Sequence, residues 1–250
     1  VAMIPSPYDL SVATARTCYS NQGIISSEAV SKDERARELR DRIAVSTLEA
    51  GHVTTRQHAH FVFTFNRVSR QVLWEFFHSH PFYNSEQVSQ RYVKVKKGNV
   101  TIPKLGIHEK ELFEGILSLQ METYEKLIKL LLPAVTEEYY RIFPRRKLMI
   151  QPRWDGVIKK KAYEIARYIL PVATHAYLYH TISALTLLRY HRISQSPLAS
   201  TEQKYIVKRM VEEVVKVDPN FKKELHIEGE TEESKSDFSP NFSNAKAFVE

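Results

Sequence analysis

Hydrophobic and polar positions along this chain follow the helical period over most of its length, broken by a short alternating centre. Ser31-Lys32-Asp33-Glu34 reads as a capping box and opens a predicted helix over residues 33–50. Ala36, Leu39, Ile43 and Leu48 supply its apolar side, and Gly51 is placed to end it. Residues 60–68 alternate instead, with Phe61, Phe63 and Phe65 on one face and Val62, Thr64 and Asn66 on the other, which predicts a strand. A short helix over 69–77, a loop holding Pro81 and a second strand opening near Arg91 follow. Leu112, Ile116, Leu119, Leu127 and Leu131 stand near helical spacing over 109–132, and Pro133 either breaks that helix or begins the next. Residues 156–192 read as helical throughout, kinked at Pro171. That stretch is too apolar and too long for the surface of a monomer, so it predicts burial at a subunit contact. Residues 201–217 complete the pattern as an amphipathic helix.

These elements predict an α+β fold. One domain is expected over residues 1–217. Beyond it the polar run of 218–250, richest in Glu, Ser and Lys around 228–237, is expected to be a flexible tail or an arm on a neighbouring subunit. At 250 residues the chain is long enough to bury a core, and its 43% hydrophobic content is ordinary for a globular protein. No apolar run is long enough to span a membrane, and no signal-peptide pattern is visible. A single cysteine, Cys18, excludes an internal disulfide framework and suits a reducing cytoplasm; it reads as a small hydrophobe.

The formal charge of +7 suits an anionic partner. It does not choose between a nucleotide, a dinucleotide cofactor and nucleic acid. No Gly-x-Gly-x-x-Gly or Walker loop is present among only seven glycines, so phosphate would be held by side chains and helix N-termini. His52, His58, His60, His78 and His80 crowd into one region, but no cysteine or His-Glu-x-x-His accompanies them, and no metal site is expected.

The densest candidate chemistry is Gln87-Val88-Ser89-Gln90-Arg91-Tyr92. An amide, a hydroxyl and a guanidinium within five residues offer what a nucleotide monophosphate needs. If the segment is extended, alternation sends Gln87, Ser89 and Arg91 to one side. A carboxylate at Glu86 would repel a phosphate, so Glu86 is expected to face solvent or to pair with Arg56 or Lys94.

This segment resembles part of the signature of the flavin-dependent thymidylate synthases. Three further segments resemble the same family in the same order: Ala15-Arg16-Thr17-Cys18-Tyr19, Gly51-His52-Val53-Thr54-Thr55-Arg56-Gln57-His58, and Ala166-Arg167-Tyr168-Ile169-Leu170-Pro171. The resemblance covers roughly residues 8–215. It implies a small antiparallel sheet with long helices, a homotetramer, and methylation of dUMP to dTMP in nucleotide biosynthesis. Methylenetetrahydrofolate would supply the carbon, FAD the hydride, and NADPH would recharge the flavin. By the same resemblance Gln87, Ser89, Arg91 and Arg167 are substrate-binding, with Arg167 contributed by a neighbouring subunit. His52, Thr54, Gln57, His80, Ser183 and Arg189 are cofactor-binding. It assigns no catalytic side chain.

The chain departs from the family in its Arg-His-Arg, which falls on Ser79-His80-Pro81 or on His78-Ser79-His80; neither register keeps an arginine. Ser183 and Arg189 stand where asparagines are usual. Ser194 stands where an arginine is expected, with Arg192 two residues away. His78, His80, Arg56, Arg70 and Arg189 are the candidates to compensate. The alternative reading is a divergent paralogue that has lost thymidylate synthesis and binds another nucleotide or nucleic acid.

Overall fold

A segment that periodicity assigns to a helix is instead the middle strand of the sheet. The computed structural model describes residues 6–21, 23–77, 83–148 and 152–225. In chain order the elements are α1 (Pro7–Cys18), α2 (Glu34–Glu49), a 3-10 helix (Val53–His58), β1 (His60–Ser69), α3 (Arg70–Glu75) and β2 (Tyr83–Gln87). There follow α4 (Ile107–Ile142), α5 (Pro144–Lys147), α6 (Pro152–Ala166), a 3-10 turn (Arg167–Ile169), β3 (His175–Ser183), α7 (Ala184–Ser194), α8 (Thr201–Val217) and α9 (Phe221–Leu225). The strand order is β1-β3-β2, antiparallel, which makes the fold α+β as expected.

Residues 156–192 are therefore not one kinked helix. Leu178, His180 and Ile182 are buried while Tyr177 and Tyr179 are exposed, a period of two carried by aromatic and β-branched residues. The preceding chain is already extended at Leu170, as a residue before proline prefers, so Pro171 follows a helical stop and kinks nothing.

Other boundaries move for local reasons. Asp33, not Ser31, caps α2: its Oδ1 accepts the Ala36 N–H at 2.7 Å. Gly51 ends that helix with φ +72°, a backbone region that glycine enters freely. The strand expected from Arg91 is absent. Residues 89–93 turn instead, with the Val93 N–H donating to the Ser89 carbonyl at 3.0 Å.

The chain divides into two units, and the division falls inside β1 and β3. Unit 1 holds residues 1–63, 80–84 and 180–250. Its interior charges are matched. Arg56, 1% exposed, donates to Glu224, Thr47, Thr55 and the Ala44 carbonyl, and Arg40 pairs with Asp9 and Asp41. Burial works against the Arg40 charge, but Asp41 and Asp9 outweigh it and hold the guanidinium protonated more firmly than usual. Phe221 packs edge-on to Tyr8 and Phe61. The polar tail expected from Asp218 thus begins, through Leu225, as ordered helix with Phe221, Glu224 and Leu225 buried. Residues 226–250 lie outside the described residues.

Unit 2 holds residues 64–79 and 85–179, and is built on α4 and α6. The 36-residue α4 runs through Pro133 without stopping. A proline there removes one backbone hydrogen bond and crowds the preceding turn, at a cost of about 3 kcal/mol. Packing on both sides of it offsets this. Before it, Tyr124, Leu127 and Leu131 join Val95, Met121 and Ala166; after it, Val135 and Tyr139 join Trp154 and Ile158.

Candidate functional site

Around the start of α3, unit 2 gathers four of the expected substrate-binding residues. Ser69 caps α3, its hydroxyl accepting the Val72 N–H at 3.2 Å. The Arg70 and Gln71 N–H groups donate to the carbonyls of Thr174 and Val172, both at 3.1 Å, and so fix this corner to the chain entering β3. From there the Arg70 Nη2 donates to the Val88 carbonyl at 2.7 Å and its Nη1 to the Gln87 Oε1 at 3.3 Å. The Val88 N–H donates to the Tyr177 carbonyl at 3.1 Å. Gln87 is thus the last residue of β2, while Ser89 and Arg91 lie in the turn beyond it; the Ser89 hydroxyl accepts the Arg91 N–H at 3.2 Å. The three side chains are ordered by a strand end and a turn, not by alternation along one strand.

Arg91 is half-exposed and pairs through Nε with Glu164 Oε1 at 2.8 Å. Glu164 also accepts from Lys161 at 2.9 Å. Lys161, then Arg91 and Arg167, outweigh slight burial and hold the Glu164 carboxyl below the usual carboxylate range. Arg167 lies close enough to act on both Glu164 and Arg70. Burial pushes the Arg70 guanidinium below its ordinary value, and the Arg167 charge adds to that shift. Within one chain, Arg167 thus lies near Arg70, which bonds to Gln87. Glu86 is exposed on β2; Lys94 is paired with Glu125 and Arg56 with Glu224.

In unit 1, Thr54 and Gln57 lie on the 3-10 helix Val53–His58. At three residues per turn they share a face, and no hydrogen bond engages either side chain among the described residues. His52 precedes that helix, its Nδ1 3.3 Å from the Tyr19 hydroxyl and its ring edge-on to Tyr19. Ser183 is buried and occupied locally, its hydroxyl accepting the Thr186 N–H at 3.2 Å to cap α7. Arg189 sits half-buried on that helix. Ser194 is buried, donating to the His191 carbonyl at 2.7 Å, which leaves it a helix-end role. Arg56 is fully engaged in the interior and is no substitute for a ligand-binding arginine. His78 and His80 lie outside the described residues.

The family described as thymidylate synthase complementing protein matches residues 1–220. The chain belongs to this family. A curated relative, the flavin-dependent thymidylate synthase of Clostridium tetani, is 28% identical over 217 residues, covering 87% of this chain and 81% of that protein. Two solved structures of the flavin-dependent thymidylate synthase ThyX from Helicobacter pylori, both with FAD and dUMP, share the fold. One has a TM-score of 0.53 at 18% identity, covering 83% of this chain and 89% of the other. The second has a TM-score of 0.51 at 17% identity, covering 83% and 88%. Within the family region, Arg70 stood among the candidates to compensate for the missing arginines but outside the substrate set. Its signal was local: an arginine directly after Ser69, at the end of a strand and the start of a helix.

Among the described residues no group of three or more His, Cys, Asp or Glu could hold a metal ion, and no helix is long and apolar enough to cross a membrane.

Proposed function

We propose that this chain is a flavin-dependent thymidylate synthase that methylates dUMP to dTMP, with methylenetetrahydrofolate as carbon donor and NADPH as the source of reducing equivalents. The observation that carries the reading is the convergence of Gln87, Ser89, Arg91 and Arg167 around Arg70, inside the matched family region. Three guanidiniums, an amide and a hydroxyl suit a phosphate monoester joined to a hydrogen-bonding base. In this reading the chain works as a homotetramer in the cytoplasm.

The unit 1 residues fit a flavin in kind. Thr54 and Gln57 present unengaged polar ends on one face, His52 flanks them, and Arg189 lies on α7. His52, Thr54, Gln57, Ser183 and Arg189 would hold FAD, together with His80. Bound FAD would supply the hydride. The chain's own work is to hold the phosphate by Arg91 and Arg167, orient the base beside Gln87 and Ser89, and exclude water.

The test is the visible absorbance of the purified protein before and after FAD addition and desalting, followed by a dUMP methylation assay. Retained flavin bands and dUMP-dependent dTMP formation are expected. A colourless protein that refuses FAD overturns the reading. It would leave the second one, a paralogue that binds another nucleotide or nucleic acid, which the absence of both arginines from the Arg-His-Arg positions favours.

A further inference from the structure

Arg56 joins three elements of unit 1 from the inside. It sits on the 3-10 helix Val53–His58 and is fully buried. Its Nη1 donates to the hydroxyls of Thr47 at 2.6 Å and Thr55 at 3.1 Å, and its Nη2 to the Ala44 carbonyl at 2.6 Å. Nη2 also donates to Glu224 Oε1 at 2.7 Å, and Nε to the same oxygen at 3.2 Å. All five N–H donors of the guanidinium are thus taken, by α2, by its own 3-10 helix and by α9. Stability alone gives little reason for this choice, since a well-packed apolar pair of similar volume is often as stable as a buried ion pair. What the fixed donors add is direction.

The helix they direct is weak by itself. It is six residues long, no side chain caps its start at His52, and 3-10 hydrogen bonds have poor geometry. Thr55 and Arg56 turn inward, while three residues per turn place Thr54 and Gln57 together on another, more exposed face. Rotation of the helix about its axis would move both of those polar ends. Glu224 opposes it from α9, which is itself tied down. Lys223 pairs with Asp41 of α2, Asn220 just before α9 accepts from Arg40, and Phe221 packs on Tyr8 and Phe61. This helix, Phe221–Leu225, lies just past the residues matched by the family, 1–220.

We propose that Glu224 is a positioning residue for the flavin: through Arg56 it fixes the rotation of the 3-10 helix that presents Thr54 and Gln57. This role rests on reading those two residues as flavin contacts, and it makes α9 part of the cofactor machinery.

The experiment is titration of the flavin-free full chain with FAD, followed by flavin fluorescence, with unfolding midpoints measured alongside. The proteins are wild type, Glu224→Gln, the double variant Arg56→Met with Glu224→Met, and Phe221→Ala. Glu224→Gln is expected to weaken FAD binding about 10- to 30-fold, the worth of two neutral hydrogen bonds from Thr54 and Gln57. The double variant leaves no charge buried, so its midpoint should recover towards wild type while its FAD affinity stays low. It carries the test if Glu224→Gln does not fold. Phe221→Ala loosens the same core but leaves the Arg56–Glu224 pair, and should keep an affinity close to wild type. Wild-type affinity in Glu224→Gln or in the double variant would overturn the proposal alone, leaving the synthase reading intact. So would an equal loss in Phe221→Ala, which would make FAD binding follow stability. A wild type that refuses FAD overturns the synthase reading, and this role with it.

Discussion

The two units treat buried positive charge in opposite ways. In unit 1 Arg56 and Arg40 are each met by carboxylates, Glu224 for one and Asp9 with Asp41 for the other. In unit 2 Arg70 is half-buried, bonded only to an amide and a carbonyl, and lies near a second arginine. A matched interior charge is complete within the fold, whereas at Arg70 the fold leaves one buried N–H without an acceptor.

The largest test of that contrast is Glu224→Gln. It leaves the Arg56 guanidinium buried without its counter-charge, and chemical denaturation should show a loss of about 3–5 kcal/mol. Arg70→Gln, at the unmatched arginine, should cost no more than about 1–1.5 kcal/mol from its bond to the Val88 carbonyl. Equal losses in the two variants would break the comparison. Phe221→Ala should fall near the first of these, about 3–5 kcal/mol, because Phe221 fills the space between Tyr8 and Phe61.

Glu164 gives a smaller and opposite effect. Its carboxylate holds Arg91 and sits near Arg167, so it competes with any incoming anion. Glu164→Gln should tighten dUMP binding by roughly two- to fivefold in calorimetry, as expected for removing one partly exposed charge. A weaker complex would mean that Glu164 serves mainly to position Arg91.

The smallest effect is in acid. Asp41 is partly buried, which alone would raise its pKa, but Lys223 and Arg40 outweigh this and depress it below 3.8. A carboxyl depressed in the folded state contributes stability that is fully present above its unfolded pKa and lost as pH falls through the folded value. Asp41→Asn should thus lose less than about 1 kcal/mol at neutral pH, with the difference from wild type shrinking below about pH 4 in thermal melts.

Local chemistry was legible where the cause is local. The strand at β1, the Gly51 stop and the span of α8 all follow from periodicity, a positive-φ glycine and a polar face. The boundary at Asp33 is similar: the capping box pointed to the right turn but to the wrong oxygen. The family segments likewise named Gln87, Ser89, Arg91 and Arg167 before their proximity could be seen.

Three features were decided only in three dimensions. Residues 175–183 are apolar enough to suit either period; pairing between two other strands selects the extended one. Pro133 is a helix breaker by propensity, and only the packing of Tyr124 and Leu131 on one side and Val135 and Tyr139 on the other carries α4 through it. Arg70 was one of five candidates to compensate for the missing arginines, because whether a cation is matched depends on which carboxylates the fold brings near it. Sequence determined the family and the helical and extended segments with strong periods. Tertiary structure decided which charges are satisfied internally, since pairing across the chain is a property of distance and desolvation that no local window contains.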